Sequence, residues 1–146
     1  MSDPVLDLIS IGRSSVDLYG QQIGSRLEDM ASFSKAVGGC PTNIAIGTAR
    51  LGLKSAVITR VGDEQMGRFI LEQLQREGVD TRGVVVDPKR LTALVILGVR
   101  DEKTFPLIFY RTDCADASLD ESEIDEDFIA SARAVVVTGT HFAIPN

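Results

Sequence analysis

The spacing of apolar positions changes along this chain, and each spacing predicts a different element. Val5 to Ile11 is a short run rich in branched side chains, stopped at once by Gly12, and predicts a strand buried on both faces. The stretch SVDLYGQQIG, from Ser15 to Gly24, alternates more loosely, with Val16, Leu18 and Tyr19 among polar neighbours, and predicts a second, more exposed strand. From Asn43 to Leu51 the apolar residues fall at 44, 45, 46, 49 and 51, the pattern of a largely buried helix ended by Gly52. A strand over Ser55 to Val61 follows. Asp63 is placed to cap the next helix, in which Met66, Phe69, Ile70 and Leu74 share one face before Gly78 stops it.

This strand and helix alternation predicts a parallel sheet covered by helices. After Gly78 the rhythm changes. GVVVD, LTALVILGV and FPLIFYR are extended runs with only turn-like segments between them, and Arg100 to Phe105 reads as the hairpin turn joining the last two. They predict antiparallel strands lying beside the parallel sheet. Ile124 to Ala132 predicts a short helix, and ARAVVVTG, from Ala132 to Gly139, a further buried strand. The chain then stops on THFAIPN, where a crossover helix would ordinarily continue the sheet, so a C-terminal part is expected to be absent.

Composition narrows the function classes. With 146 residues, 44% hydrophobic and 25% charged, the chain suits one globular domain with a real core. Acidic residues outnumber basic ones, 21 to 15, and concentrate in Asp116 to Phe128, so no basic face is offered to a nucleic acid. Cys40 and Cys114 stand far apart without ligand spacing, which reads as free thiols and no metal site. The N-terminus lacks a signal-peptide pattern and no run is long enough to cross a bilayer, so the expected location is cytoplasmic.

The chemistry concentrates at Gly38-Gly39, directly before a helix start. Glycine lets backbone approach a ligand, and a helix N-terminus presents unpaired N–H groups. With Asn43 in the first turn, able to donate and to accept, this is a surface suited to a sugar; the alternative is a tight turn whose glycines serve only packing. A Walker-type phosphate loop is excluded because no Gly-Lys-Ser/Thr follows, and no G-x-G-x-x-G occurs for a dinucleotide.

Gly38-Gly39-Cys40-Pro41-Thr42-Asn43-Ile44-Ala45, Ala49-Arg50-Leu51-Gly52, Val61-Gly62-Asp63 with Gly67, Gly78-Val79-Asp80-Thr81 and Thr92 follow one another in order. Together they resemble the first half of a ribokinase-like (PfkB) carbohydrate kinase. Within that family SIGRSSVDLYG and FPLIFYRTDCADASL are most similar to the 5-dehydro-2-deoxygluconokinases of inositol breakdown, with 2-keto-3-deoxygluconate kinases as near neighbours. The resemblance implies an α/β, ribokinase-like fold: the N-terminal part of a parallel sheet flanked by helices, with a small antiparallel β lid. Core segments are expected over 1–12, 35–87 and 118–146, and lid segments over about 14–24 and 90–112.

It also implies roles. Asp17 matches the family's acidic substrate contact, since a carboxylate can accept from two neighbouring hydroxyls; the lesser alternative is a surface turn carboxylate. The family's Asn two positions earlier is replaced by Ser15, whose shorter side chain would reach a different hydroxyl. Gly38, Gly39 and Asn43 are expected to hold the hydroxyl-bearing end, and Tyr110 and Arg111 to close over it from the lid. An Arg guanidinium can grip a carboxylate bidentately, which favours a sugar acid; otherwise Arg111 is an ordinary charge at a strand end. Cys114 to Asp116 match the subgroup without a mechanism, and lone His141 reads as structural.

The family's catalytic base lies in a later Gly-Ala-Gly-Asp segment, which is not found here. No catalytic residue is therefore expected in this chain, which alone should be inactive, and ATP and Mg2+ belong to the complete enzyme. Lid pairing implies a possible homodimer. The rival expectation is a non-catalytic sugar-binding module.

Overall fold

The computed structural model describes residues 5–139, so His141 and the rest of the final segment lie outside the described residues. Two four-stranded sheets organise the chain. The first has the order β5-β4-β1-β8 and is parallel throughout, built from β1 (Leu6–Ile11), β4 (Ser55–Gly62), β5 (Val84–Asp87) and β8 (Ala132–Val137). The second has the order β3-β2-β6-β7, from β2 (Ser15–Gly20), β3 (Phe33–Gly38), β6 (Ala93–Leu97) and β7 (Leu107–Tyr110). Helices α1 (Cys40–Arg50), α2 (Gln65–Arg76) and α3 (Glu126–Ala130) complete the fold.

Period-two alternation explains the core. On β4, Val57 and Val61 face the cluster made with Ala45 of α1 and Ile70 and Leu74 of α2, while Ala56 and Ile58 meet Ile9 and Phe128 of α3 on the other face. Val16 of β2 is fully buried in the first cluster, so the second sheet is anchored to the core by its own apolar residue.

Several elements differ from the sequence expectation. Val84–Asp87 pairs in parallel with β4 and belongs to the first sheet, because Gly83 and Asp80 bring the chain back alongside β4 through backbone bonds to Thr59 and Val57. The second sheet is mixed: β2 runs antiparallel to β3 but parallel to β6, and β6 antiparallel to β7. Phe33–Gly38, which the apolar pattern does not single out, is a full strand paired with β2. β8 is mostly exposed, since among the described residues it has one strand neighbour and only the five-residue α3 beside it.

Helix α1 begins at Cys40 rather than at Asn43, with Pro41 in its first turn, where the missing N–H has no intrahelical partner to lose. Only Pro41, Thr42 and Ala45 of α1 are fully buried. Glu64, not Asp63, caps α2: its carboxylate accepts from the backbone of Met66 at 2.7 Å and Gly67 at 3.1 Å. It also accepts from Thr92 N–H at 3.1 Å, while Thr92 Oγ1 accepts from Gly62 N–H at 3.0 Å, so one side chain ties the entry to β6 onto the core. Burial works against the Glu64 charge, but these donors prevail and hold its carboxyl below the usual range.

Candidate functional site

The candidate site forms where the C-terminal end of β1, the start of β2 and the start of α1 meet, the end of a parallel sheet at which α/β proteins place ligands. The connecting loop is held firmly: Gly12 N–H donates to the Ile58 carbonyl at 3.1 Å and Thr59 Oγ1 donates to Ser14 Oγ at 3.0 Å. Ser10 Oγ donates to the Pro41 carbonyl at 2.7 Å, which docks the first turn of α1 onto β1.

The doubled glycine has a defined role here. A Cβ at Gly38 would overlap the Asp17 carboxylate, and one at Gly39 would overlap the Arg13 carbonyl. Gly39 also sits at φ 98°, a backbone region that side chains strongly disfavour. The glycines thus clear room for Asp17 and the Arg13 loop to approach the helix start, the packing use that the sequence left open beside the ligand surface. Gly39 caps α1 without a side-chain bond. Thr42 Oγ1 instead donates to the carbonyls of Gly38 at 2.6 Å and Gly39 at 2.8 Å, locking the turn.

Asp17 is half-buried, and that burial pushes its carboxyl above the ordinary range, with the Ser15 hydroxyl and the nearby Arg13 charge pulling the other way. Ser15 Oγ donates to Asp17 Oδ1 at 3.1 Å. Ser15 is fully buried, so it orients the carboxylate and does not itself reach for a hydroxyl.

Asn43 is exposed and lines a cavity of about 340 Å³ with Lys35, Ile46, Arg50 and Phe69, between α1 and α2. No hydrogen bond joins it to Asp17 among the described residues. Tyr110 is exposed at the end of β7 and borders a separate cavity of about 520 Å³ with Leu91, Thr92, Leu94 and Cys114. The structure therefore gathers Asp17, Gly38 and Gly39 at one place, with Asn43 and Tyr110 on neighbouring surfaces.

Arg111 is held from its own side of the chain. Its Nε donates to Asp116 Oδ2 at 2.7 Å and its Nη2 makes an ion pair with the same oxygen at 2.6 Å. This gives Cys114 to Asp116 a structural reason: Ala115 N–H donates to the Leu91 carbonyl at 2.9 Å, which brings the buried Asp116 under Arg111. Burial and the Asp116 charge push the Cys114 thiol up, the condition of an unreactive packing group.

Arg13 was not singled out in the sequence, although a basic residue immediately after the first strand's terminal glycine is the available signal. Its guanidinium lies over the Phe109 ring, 5.5 Å from the centroid, and so joins the β1–β2 loop to β7. Among the described residues no group of three His, Cys, Asp or Glu side chains gathers as for a metal. Among the described residues no helix is long and apolar enough to cross a membrane.

Comparison with known proteins gives a consistent result. The profile of the pfkB family carbohydrate kinase matches residues 5–146. The chain is 41% identical over 139 residues to the 5-dehydro-2-deoxygluconokinase of Geobacillus kaustophilus, covering 94% of this chain and 42% of that protein. Against the 5-dehydro-2-deoxygluconokinase of Bacillus subtilis it is 39% identical over 142 residues, covering 97% of this chain and 44% of the relative. The chain thus spans less than half the length of these relatives. An uncharacterised sugar kinase from Pyrococcus horikoshii, also solved in complex with ATP, superposes with a TM-score of 0.82 at 34% identity over 89% of this chain and 44% of its own. The fructokinase of Halothermothrix orenii superposes with a TM-score of 0.85 at 28% identity over 96% of this chain and 49% of its own.

Proposed function

Because the chain belongs to the pfkB family of carbohydrate kinases, we propose that it is the sugar-binding part of an ATP-dependent kinase that phosphorylates 5-dehydro-2-deoxygluconate. The observation that carries this reading is the half-buried Asp17 carboxylate, oriented by Ser15 and packed against Gly38 at the open start of α1. A carboxylate so placed accepts from adjacent hydroxyls, and the uncapped backbone of the helix start supplies donors. Gly38, Gly39 and Asn43 bound the hydroxyl-bearing end, and Tyr110 and Arg111 close from the second sheet, Arg111 in the orientation that Asp116 gives it. The substrate choice is supported by the 39–41% identity to relatives of that name.

ATP and Mg2+ enter this reading through the complete enzyme, where a substrate hydroxyl would displace ADP from the γ-phosphate and its proton would pass to a base outside this chain. A cytoplasmic location accords with a soluble sugar kinase. We place the homodimer contact on the second sheet, supported by the exposed apolar residues Leu107, Ile108, Phe109 and Tyr110 of β7.

Calorimetric titration of the chain with 5-dehydro-2-deoxygluconate and, separately, with ATP tests the proposal. Sugar binding lost in Asp17→Asn is expected, and a chain that binds no sugar rejects it. The same titration on the longer protein, with ATP turnover only when sugar is present, separates the kinase from a non-catalytic sugar-binding module. 2-Keto-3-deoxygluconate in place of the substrate tests the neighbouring specificity.

A further inference from the structure

Two arginines border the candidate site, and their electrostatic situations differ. Arg111 donates from Nε to the buried Asp116 at 2.7 Å and pairs with it through Nη2 at 2.6 Å, so its charge is compensated inside the chain, although Nη2, like Arg13 Nε, is a buried nitrogen without a formed hydrogen bond among the described residues. Arg13 makes no ion pair among the described residues, and its buried Nε finds no hydrogen-bond acceptor there. Its surroundings nevertheless hold it in place. The flanking residues Gly12 and Ser14 are bonded to Ile58 and Thr59 of β4, and the Arg13 carbonyl fills the space beside Gly39. The guanidinium rests over Phe109 at 5.5 Å, and Asp17 is close enough for its carboxyl to sense the Arg13 charge. A buried donor without an acceptor carries a desolvation cost that an oxygen-bearing anion relieves. A guanidinium resting on an aromatic face keeps its outward N–H edge available for a planar carboxylate.

We propose that Arg13, resting on Phe109, is the residue that recognises the carboxylate of the substrate and thereby selects a sugar acid over a neutral sugar. Asp17 takes the hydroxyl-bearing end, so the two side chains set the direction in which the substrate lies. The sequence expectation placed carboxylate recognition on Arg111; with its charge met by Asp116, Arg111 acts as a lid residue. This assignment rests on the sugar-acid reading given above and deepens it.

The test is titration of the full chain with 5-dehydro-2-deoxygluconate and with the polyol in which its carboxylate is reduced to the C1 alcohol. The unaltered chain should bind the acid more tightly. Arg13→Gln should lose about 10- to 100-fold for the acid, the scale of a charge-assisted hydrogen bond, and less than about 3-fold for the alcohol. Arg13→Lys should recover part of the acid affinity, and Arg111→Gln should weaken both ligands alike. If Arg13→Gln fails to fold, shown by loss of its thermal transition, Phe109→Leu provides the second variant, with an expected loss confined to the acid. A preference for the acid that survives the Arg13 and Phe109 substitutions but disappears in Arg111→Gln overturns the assignment to Arg13 alone. An unaltered chain that binds both compounds equally, or neither, overturns the sugar-acid reading itself.

Discussion

β4 and β7 are both apolar strands, and β7, with the sequence LIFY, is the more apolar of the two. Yet β4 is buried along nearly its whole length, whereas every residue of β7 is exposed. The difference lies in position. β4 is flanked by β5 and β1 and has apolar clusters on both faces; among the described residues β7 is the edge strand of the second sheet, bonded only to β6. Apolar character therefore does two jobs in this molecule. In β4 it removes surface from water and stabilises the fold, and in β7 it remains available to a ligand, a cation such as Arg13, or another chain.

Substitutions in and beside the two strands sharpen this contrast. The largest effect is expected at Asp87, which ends β5 and holds Arg60 of β4 through a 2.9 Å bond from Nε while Glu123 binds the same guanidinium. Removing one member of a buried pair costs about 3–5 kcal/mol, so Asp87→Ala should lower the urea midpoint sharply. A midpoint that stays put would mean that Glu123 alone compensates Arg60. The same carboxylate predicts a pH dependence. Burial raises its pKa, but the N–H groups of Lys89 and Arg90 and the Arg60 guanidinium outweigh that and hold it at about 2. Because this lies below the unfolded value of about 3.9, its stabilising contribution is complete above that value and is lost as the pH falls towards about 2. Acid titration of Asp87→Asn should lack this component, and an identical acid transition would contradict it.

Next in size is Ile58→Ala on β4, where a side chain 2% exposed is removed from the cluster with Ile9 and Phe128. A loss of about 2–4 kcal/mol is expected from chemical denaturation. Ile108→Ala on β7, at a side chain 45% exposed, should cost less than about 1 kcal/mol in the same measurement. Equal losses at the two isoleucines would erase the distinction between the strands. The smallest stability effect is expected for Leu107→Lys, also on the exposed strand, which should leave the melting temperature nearly unchanged. Its readout is sedimentation: a dimer reduced to a monomer supports pairing through β7, and an unaltered mass removes that strand from the contact.

Much of the fold was legible locally. The continuous branched run that became β1, the short run that became β4 and the helical spacing of α2 each declared their element, and Asp17, Gly38 and Gly39, distant in part along the chain, lie against one another in the fold. What could not be read were relations between distant segments. Glu64 displaced Asp63 as the cap because only Glu64 also meets the Thr92 N–H from a separate segment. Phe33–Gly38 has too mixed a pattern to declare itself a strand and becomes one by pairing with β2.

By itself the amino-acid sequence determined where the chain can bend and which stretches can form strands or helices, together with the family to which it belongs, because these depend on residue types and short-range spacing. Only the tertiary structure decided that Val84–Asp87 lies parallel beside β4, that β8 is left largely exposed, and that Arg111 is matched by Asp116 while Arg13 is left to rest on Phe109. The reason is physical: strand partners, burial and charge compensation are set by groups far apart along the chain, and only folding brings those groups within bonding distance.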